Sequence, residues 1–247
     1  MSVILGLASL LVGAIIGASG VGGVLLIPAL MFFGGLDTHQ AMATALFSFL
    51  FTGILATYSF QRHGSIDWKI TLPVCAGSFV SSYLGALVGS HASATVLNLL
   101  LAALIIGSSL YSMLPRSSTA LAARLDERPR LFLLLGIGLF TGFLCGMTGA
   151  GGGIVSLPIM LVCGFPALAS IGTGQVLQSI VSISGSVSNY ANDFIVFPLV
   201  WAVTACELVG VAIGVRVAHA LPVATIKRLV TWLCLAIGIF VALKSFI

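Results

Sequence analysis

The sequence predicts an all-α integral membrane protein of two tandem repeats, inverted relative to each other, each a broken, re-entrant helix pair followed by three transmembrane helices. Three observations carry that expectation. The first is composition: apolar residues make up 59% of the chain, charged residues 6%, and the mean hydropathy is +1.21. A soluble domain carries roughly 25% charged residues, so this chain could not cover a water-facing surface, whereas helices satisfy their own backbone hydrogen bonds inside hydrocarbon. The second is internal repetition, and the third is the distribution of lysine and arginine.

The repetition is read from three matched segments in the same order. Ser19-Gly20-Val21-Gly22-Gly23 corresponds to Thr148-Gly149-Ala150-Gly151-Gly152-Gly153, and a proline follows each at equal offset, Pro28 and Pro158. Downstream, Ala43-Thr44-Ala45 is answered by Gly172-Thr173-Gly174, and the pair Gly85 and Gly89 by Gly210 and Gly214. The repeat is roughly 120 residues long, the scale of an inverted transporter half. Repeat one takes residues 1–114, repeat two 131–247, and the one clearly hydrophilic segment, 115–130, connects them in a single membrane domain.

Each repeat opens on a long apolar stretch, 3–33 and 131–164. As one straight helix either would rise about 45–50 Å, against a hydrocarbon core of about 30 Å. The glycine cluster near the middle permits backbone angles that other residues resist, so each stretch is expected to be two half-helices around a turn. The first stretch lacks a signal peptide's basic flank and cleavage site and is expected to be retained. Three spans follow in each repeat, at 38–60, 68–90 and 92–114, then 166–192, 194–218 and 222–246.

Orientation follows from the cations. If the broken pairs turn back on themselves, Arg62, Lys69, Arg116, Arg124, Arg128, Arg130, Arg216, Lys227 and Arg228 share one face, and only Lys244 stands opposite. If the pairs cross fully, Arg216, Lys227 and Arg228 change sides. The rule that cationic loops stay cytoplasmic favours the re-entrant model. It gives a multi-pass protein of the cell (inner) membrane with a cytoplasmic central connector, whose arginines could touch anionic headgroups. Three spans per repeat, an odd number, inverts the second repeat.

The glycine breaks are the candidate site. A half-helix starting there aims unpaired N–H groups and the positive end of its dipole into the protein, and two such ends facing each other would cradle an anion without lysine or arginine. The contributors are Ser19, Gly20, Val21, Gly22 and Gly23 with Thr148, Gly149, Ala150, Gly151, Gly152 and Gly153. The competing role for these glycines is helix packing. Thr44 and Thr173, at matching positions, are further candidates, as are Gln175 and Gln178, three apart on one helix face. Thr44 is accompanied by Ser48. For these side chains the alternative is interhelical hydrogen bonding, because buried polar groups need partners.

Glu207 is the one acidic residue deep within an expected span. A charged, unpaired carboxylate there costs several kcal/mol, which leaves two roles, carrying a coupled proton or holding a structural hydrogen bond. His39, His63, His91 and His219 fall near span ends. The cysteines (Cys75, Cys145, Cys163, Cys206 and Cys234) show no metal or disulfide spacing. No span holds paired carboxylates, a nucleophile triad or metal-ligand spacing, so the reading is not an enzyme and requires no cofactor and no metal. The basic residues form no stripe and point to no nucleic acid. The partners expected are a small anion, the lipid bilayer and, at most, a second copy in a homodimer.

The two glycine signatures, each followed by a proline and then an Ala/Gly-Thr pair in the next helix, resemble the TauE/SafE family of small anion transporters over nearly the whole chain. The resemblance implies export of a sulfur-containing oxyanion such as sulfite or an organosulfonate, carried here by Ser19 to Gly23, Thr44, Thr148 to Gly153 and Thr173. Residues alone reach only a small anion; the full reading is a secondary transporter that exports it by alternating access. A passive anion channel is the rival, and a thiosulfate or sulfide-type transporter using Cys145 is another.

Overall fold

The computed structural model describes residues 3–19, 23–113 and 125–220, and also Trp232 and Ile239. No strand occurs among them. The chain forms α1 (Val3–Ser19), a 3-10 turn (Gly23–Leu25) leading into α2 (Leu26–Phe33), α3 (Thr38–Arg62), α4 (Trp68–His91), α5 (Ala94–Met113), α6 (Glu127–Thr148), α7 (Gly153–Val162), α8 (Ala167–Ala191) and α9 (Phe197–Ala220). The five segments expected as spans within the described residues are helical, as α3, α4, α5, α8 and α9, each within a few residues of its predicted bounds. The span expected at 222–246, apart from those two residues, lies outside the described residues.

Acidic residues sit where helices begin. Asp37 and Asp67 cap α3 and α4, accepting from the N–H groups of Gln40 (2.9 Å) and Lys69 (3.0 Å), and Asp126 occupies the same position at α6. Capping satisfies an orphan donor and places negative charge at the positive helix end. Among the described residues, four helices, α3, α4, α6 and α9, are long and apolar enough to cross a membrane. Side-chain distribution matches that solvent: Phe132 (72% exposed), Leu72 (60%) and Val187 (60%) face outward, while Thr44, Ser48, Thr71 and Gln175 are fully buried. Polar groups inside and apolar groups outside is how lipid-solvated bundles sort their residues.

Contacts fix the helix directions. Val74, Ser78 and Ser82 of α4 meet Gly138, Gly142 and Gly146 of α6 in rising order, so these helices run parallel. Leu10 and Ala14 of α1 meet Gly210 and Gly214 of α9, also in parallel. Thr71 bonds Thr173, and Ser184 donates to the Phe79 carbonyl, aligning α4 with α8. Thr44 and Ser48 contact Val196 and Glu207, aligning α3 with α9. Across the centre, Thr52 bonds Gln178 while Leu46 packs on Gly185, so α3 and α8 are antiparallel. One set of helices, α1, α3 and α9, therefore runs against the other, α4, α6 and α8.

Glycine makes the parallel pairs close. A methyl group added at Gly85 would stand 2.1 Å from the Phe143 carbonyl oxygen, and one at Gly210 would stand 2.1 Å from that of Leu10. Backbones in such contact gain dispersion and small-residue packing where lipid offers no hydrophobic drive between helices.

The second break differs in proportion from the sequence expectation. Contact with α4 carries α6 on to Thr148, and its 22 residues, about 33 Å of rise, make a span-length helix rather than a half-helix. Met147 stands against Gly89, close to the end of α4. The backbone then turns back: Gly149 lies on Met42 and Gly152 on Leu177. At the far end of α7, the Phe165 ring lies 5.6 Å from Arg130, near the start of α6.

Candidate functional site

The turn at 149–152 is built by glycine backbone angles. Gly149 adopts φ +66 and closes α6 by donating its N–H to the Cys145 carbonyl (2.8 Å), and Gly151 follows at φ +76. Both conformations strain any residue with a Cβ. Past the turn, the first N–H groups of α7 have no intrahelical acceptor and start in the middle of the bundle, where Gly174 of α8 abuts Gly153. At this depth the positive helix end is the local source of positive potential.

Phe49 of α3 stands between the breaks. A methyl group on Gly23 would lie 2.9 Å from its ring, and one on Gly151 would lie 3.5 Å from the ring and 3.8 Å from the Gln178 side chain. Both glycine segments thus converge on one fully buried aromatic. Gln178 Nε2 donates to Thr52 Oγ1 (3.0 Å), and Thr52 donates weakly to the Phe49 carbonyl (3.5 Å). Gln175, on the same face of α8, is fully buried, and neither its Oε1 nor its Nε2 has a hydrogen-bond partner. A buried amide with both ends unmet costs about 1–3 kcal/mol per unsatisfied group, which marks Gln175 as a candidate contact for a polar ligand.

The other expected contributors are placed differently. Gly20, Val21 and Gly22 lie outside the described residues, and Ser19 is the last residue of α1. Thr148 donates its hydroxyl back to the Leu144 carbonyl (2.8 Å). It sits with Gly149 near the start of α3, about 10 Å along α3 from the level of Phe49 at the usual helical rise. Gly149 there lines a small cavity of about 10 Å³, room for one water, with His39, Ser90, Asn189 and Phe194 among its walls. Gly151, Gly152 and Gly153 reach the centre, as Gly23 does from the first break, and Ala150 joins them in the turn. Thr44 accepts from the Val196 N–H (3.2 Å), and Thr173 shares a hydrogen bond with Thr71 (2.8 Å), so both bridge elements.

Glu207 is fully buried at the contact of α9 with α3 and α1. Ser48 donates to its Oε2, Thr204 donates to Ser48 (2.9 Å), and its Oε1 has no partner. Among the described residues no cluster of His, Cys, Asp and Glu is arranged to hold a metal ion.

Sequence reasoning missed Phe49 and Thr52. The signal for Phe49 lay in the repeat: the offset that matches Thr44 to Thr173 also matches Phe49 to Gln178. An aromatic facing an amide at equivalent positions looks like lost symmetry until both are seen to flank the same turn.

Comparison with known families decides the class. The family model described as Sulfite exporter TauE/SafE matches residues 5–241. The chain belongs to the TauE/SafE family. As a TauE/SafE protein it is a membrane transporter and not an enzyme. It is 25% identical to the probable membrane transporter protein YunE of Bacillus subtilis, over 96% of this chain and 94% of the relative. It is 29% identical to the probable membrane transporter protein MJ0441 of Methanocaldococcus jannaschii, over 72% and 70%, and 28% identical to the probable membrane transporter protein YfcA of Escherichia coli, over 90% and 81%. No solved structure matches this TauE/SafE chain.

Proposed function

We propose that the protein is a secondary carrier that exports a small sulfur-containing oxyanion, sulfite or an organosulfonate, across the cell membrane by alternating access. The observation that carries this reading is the unpartnered amide of Gln175 beside the in-turned N-terminus of α7. Amide donors without acceptors, at the positive end of a helix, suit an anion with several hydrogen-bond-accepting oxygens. The family description supplies sulfite as the leading substrate.

The helix directions support inverted repeats, because each counterpart pair suggested by the sequence (α1 with α6, α3 with α8, α4 with α9) has one member in each opposed set. They also bring Arg62, Lys69, Arg128, Arg130 and Arg216 to one face, which supports a cytoplasmic connector. Gly53 packs so closely on Ser179 that a methyl group would stand 2.5 Å from its hydroxyl oxygen, and this closure between α3 and α8 favours a carrier over an open channel. Glu207 is the residue that would carry a coupled proton, since its carboxyl is buried, bonded at one oxygen and free at the other.

The test is flux of sulfite and of methanesulfonate in proteoliposomes, with and without a pH gradient, for the wild type and for Gln175→Leu. The expected result is saturable, gradient-driven flux that falls about tenfold or more in the variant, the loss of one hydrogen bond to an anion. Flux of neither anion through the folded wild type would remove the sulfur assignment. Equal flux through both proteins would remove the site.

A further inference from the structure

On one face of α8, Gln175, Gln178, Ser179, Ser182, Ser186 and Asn189 fall within about a third of the circumference at 100° per residue. All six are buried, Asn189 the most exposed with Ser179 at 8%. The face is turned to α3, since Gln178 bonds Thr52, Ser179 meets Gly53, and Gly185, between the serines, packs on Leu46. Serine in a helix ordinarily returns its hydroxyl to the carbonyl one turn back, as Thr148, Ser156 and Ser170 do here. Ser179, Ser182 and Ser186 do not: each hydroxyl is buried without a partner, and so is the amide of Gln175. The run leads from the α7 N-terminus to Asn189, where the cavity beside His39 and Gly149 opens. Because α8 begins on the connector side, this end lies at the opposite face.

We propose that Ser182 and Ser186 are the stepping contacts of the anion between its central site and that far face, leaving through the cavity at Asn189 and His39. The proposal rests on the carrier reading above and extends it from a site to a route. Neutral hydroxyls suit a passage: each donates one hydrogen bond to an oxyanion, and neither supplies the fixed charge that would trap it. In the present conformation α3 and α8 are in contact, so the route is closed and opens when they part.

The experiment uses full-length protein in proteoliposomes. Ser182→Cys and Ser186→Cys are exposed to an anionic, membrane-impermeant methanethiosulfonate on the face opposite the connector, and labelling of the α8 peptide is read by mass spectrometry. Val187→Cys, on the lipid side of α8, is the control. Labelling of both serine positions well above the control, slowed by saturating methanesulfonate, is expected. A second arm compares anion flux in Ser182→Val/Ser186→Val with Ser184→Ala, whose hydroxyl points to α4. Flux should fall about tenfold or more in the first, the value of a hydroxyl hydrogen bond to a charged partner, and stay within about twofold in the second. Label that never reaches positions 182 and 186 in an active transporter overturns the route. Labelling without protection by methanesulfonate leaves the route standing and counts against the sulfonate as substrate.

Discussion

Glycine carries two different duties in this protein, and single substitutions separate them. At Gly85 the constraint is the neighbour, a carbonyl 2.1 Å from where a methyl group would sit. Gly85→Ala is expected to lower stability by about 1–3 kcal/mol, the usual cost of overpacking, read as a lower unfolding temperature in detergent. At Gly136 nothing lies within 4 Å, and alanine there should raise that temperature, since it is the better helix former by about 0.5–1 kcal/mol. Gly149 combines strain with contact, having φ +66 and the Met42 carbonyl oxygen 2.5 Å from where a methyl group would sit, so Gly149→Ala should be the most disruptive of the three. Gln175→Leu is expected to leave the unfolding temperature unchanged or raise it while transport falls. Removing an unsatisfied buried amide relieves a cost, and a purely structural glutamine would show the reverse.

Among the elements, α3 serves both proposed sites. Its Ser48 bonds Glu207 of α9, and the adjacent Phe49 and Thr52 face the second glycine turn and Gln178 of α8. A shift of α3 is felt at both contacts, which is the physical link a coupled carrier needs. Glu207→Gln keeps an oxygen for Ser48 but cannot take up a proton. The variant should still exchange anion down its own gradient while losing the response to an imposed pH gradient; retention of full gradient-driven transport would remove proton coupling at this residue. These element-level relations were only partly legible in the sequence. Hydropathy places α3 and α4 within two residues of their ends, and the glycine clusters locate the turn. The length of α6 was hidden, because what prolongs it is contact between Gly138, Gly142 and Gly146 and another helix. Bonding between elements stood in the sequence as the alternative role of Thr44 and Thr173, but their partners were hidden: one chain position cannot disclose Val196 and Thr71.

For the molecule as a whole, the opposed helix sets make a prediction about sidedness. Cysteine placed at Gly64, between α3 and α4, should react with an impermeant thiol reagent only from the cytoplasmic side, and cysteine at Ala92, between α4 and α5, only from the outside. Reaction of both from one side would break the helix directions described above. Among the described residues the most extensive contacts are those of α4 with α6 and of α1 with α9, and the second joins the first of these helices to the last.

That pairing of α1 with α9 bears on how the protein is made. Gly13 is synthesised well before the backbone it rests against at Glu207, which emerges roughly 200 residues later, on the order of 10–40 s at ribosomal speed. Throughout that interval α1 has an uncovered glycine face in the bilayer, within reach of lipid, insertion machinery or the wrong helix. Assembly of this contact is therefore held back until α9 has emerged, and a nascent chain arrested after α8 should crosslink from a cysteine at Gly13 to the insertion machinery, where a chain that includes α9 does not.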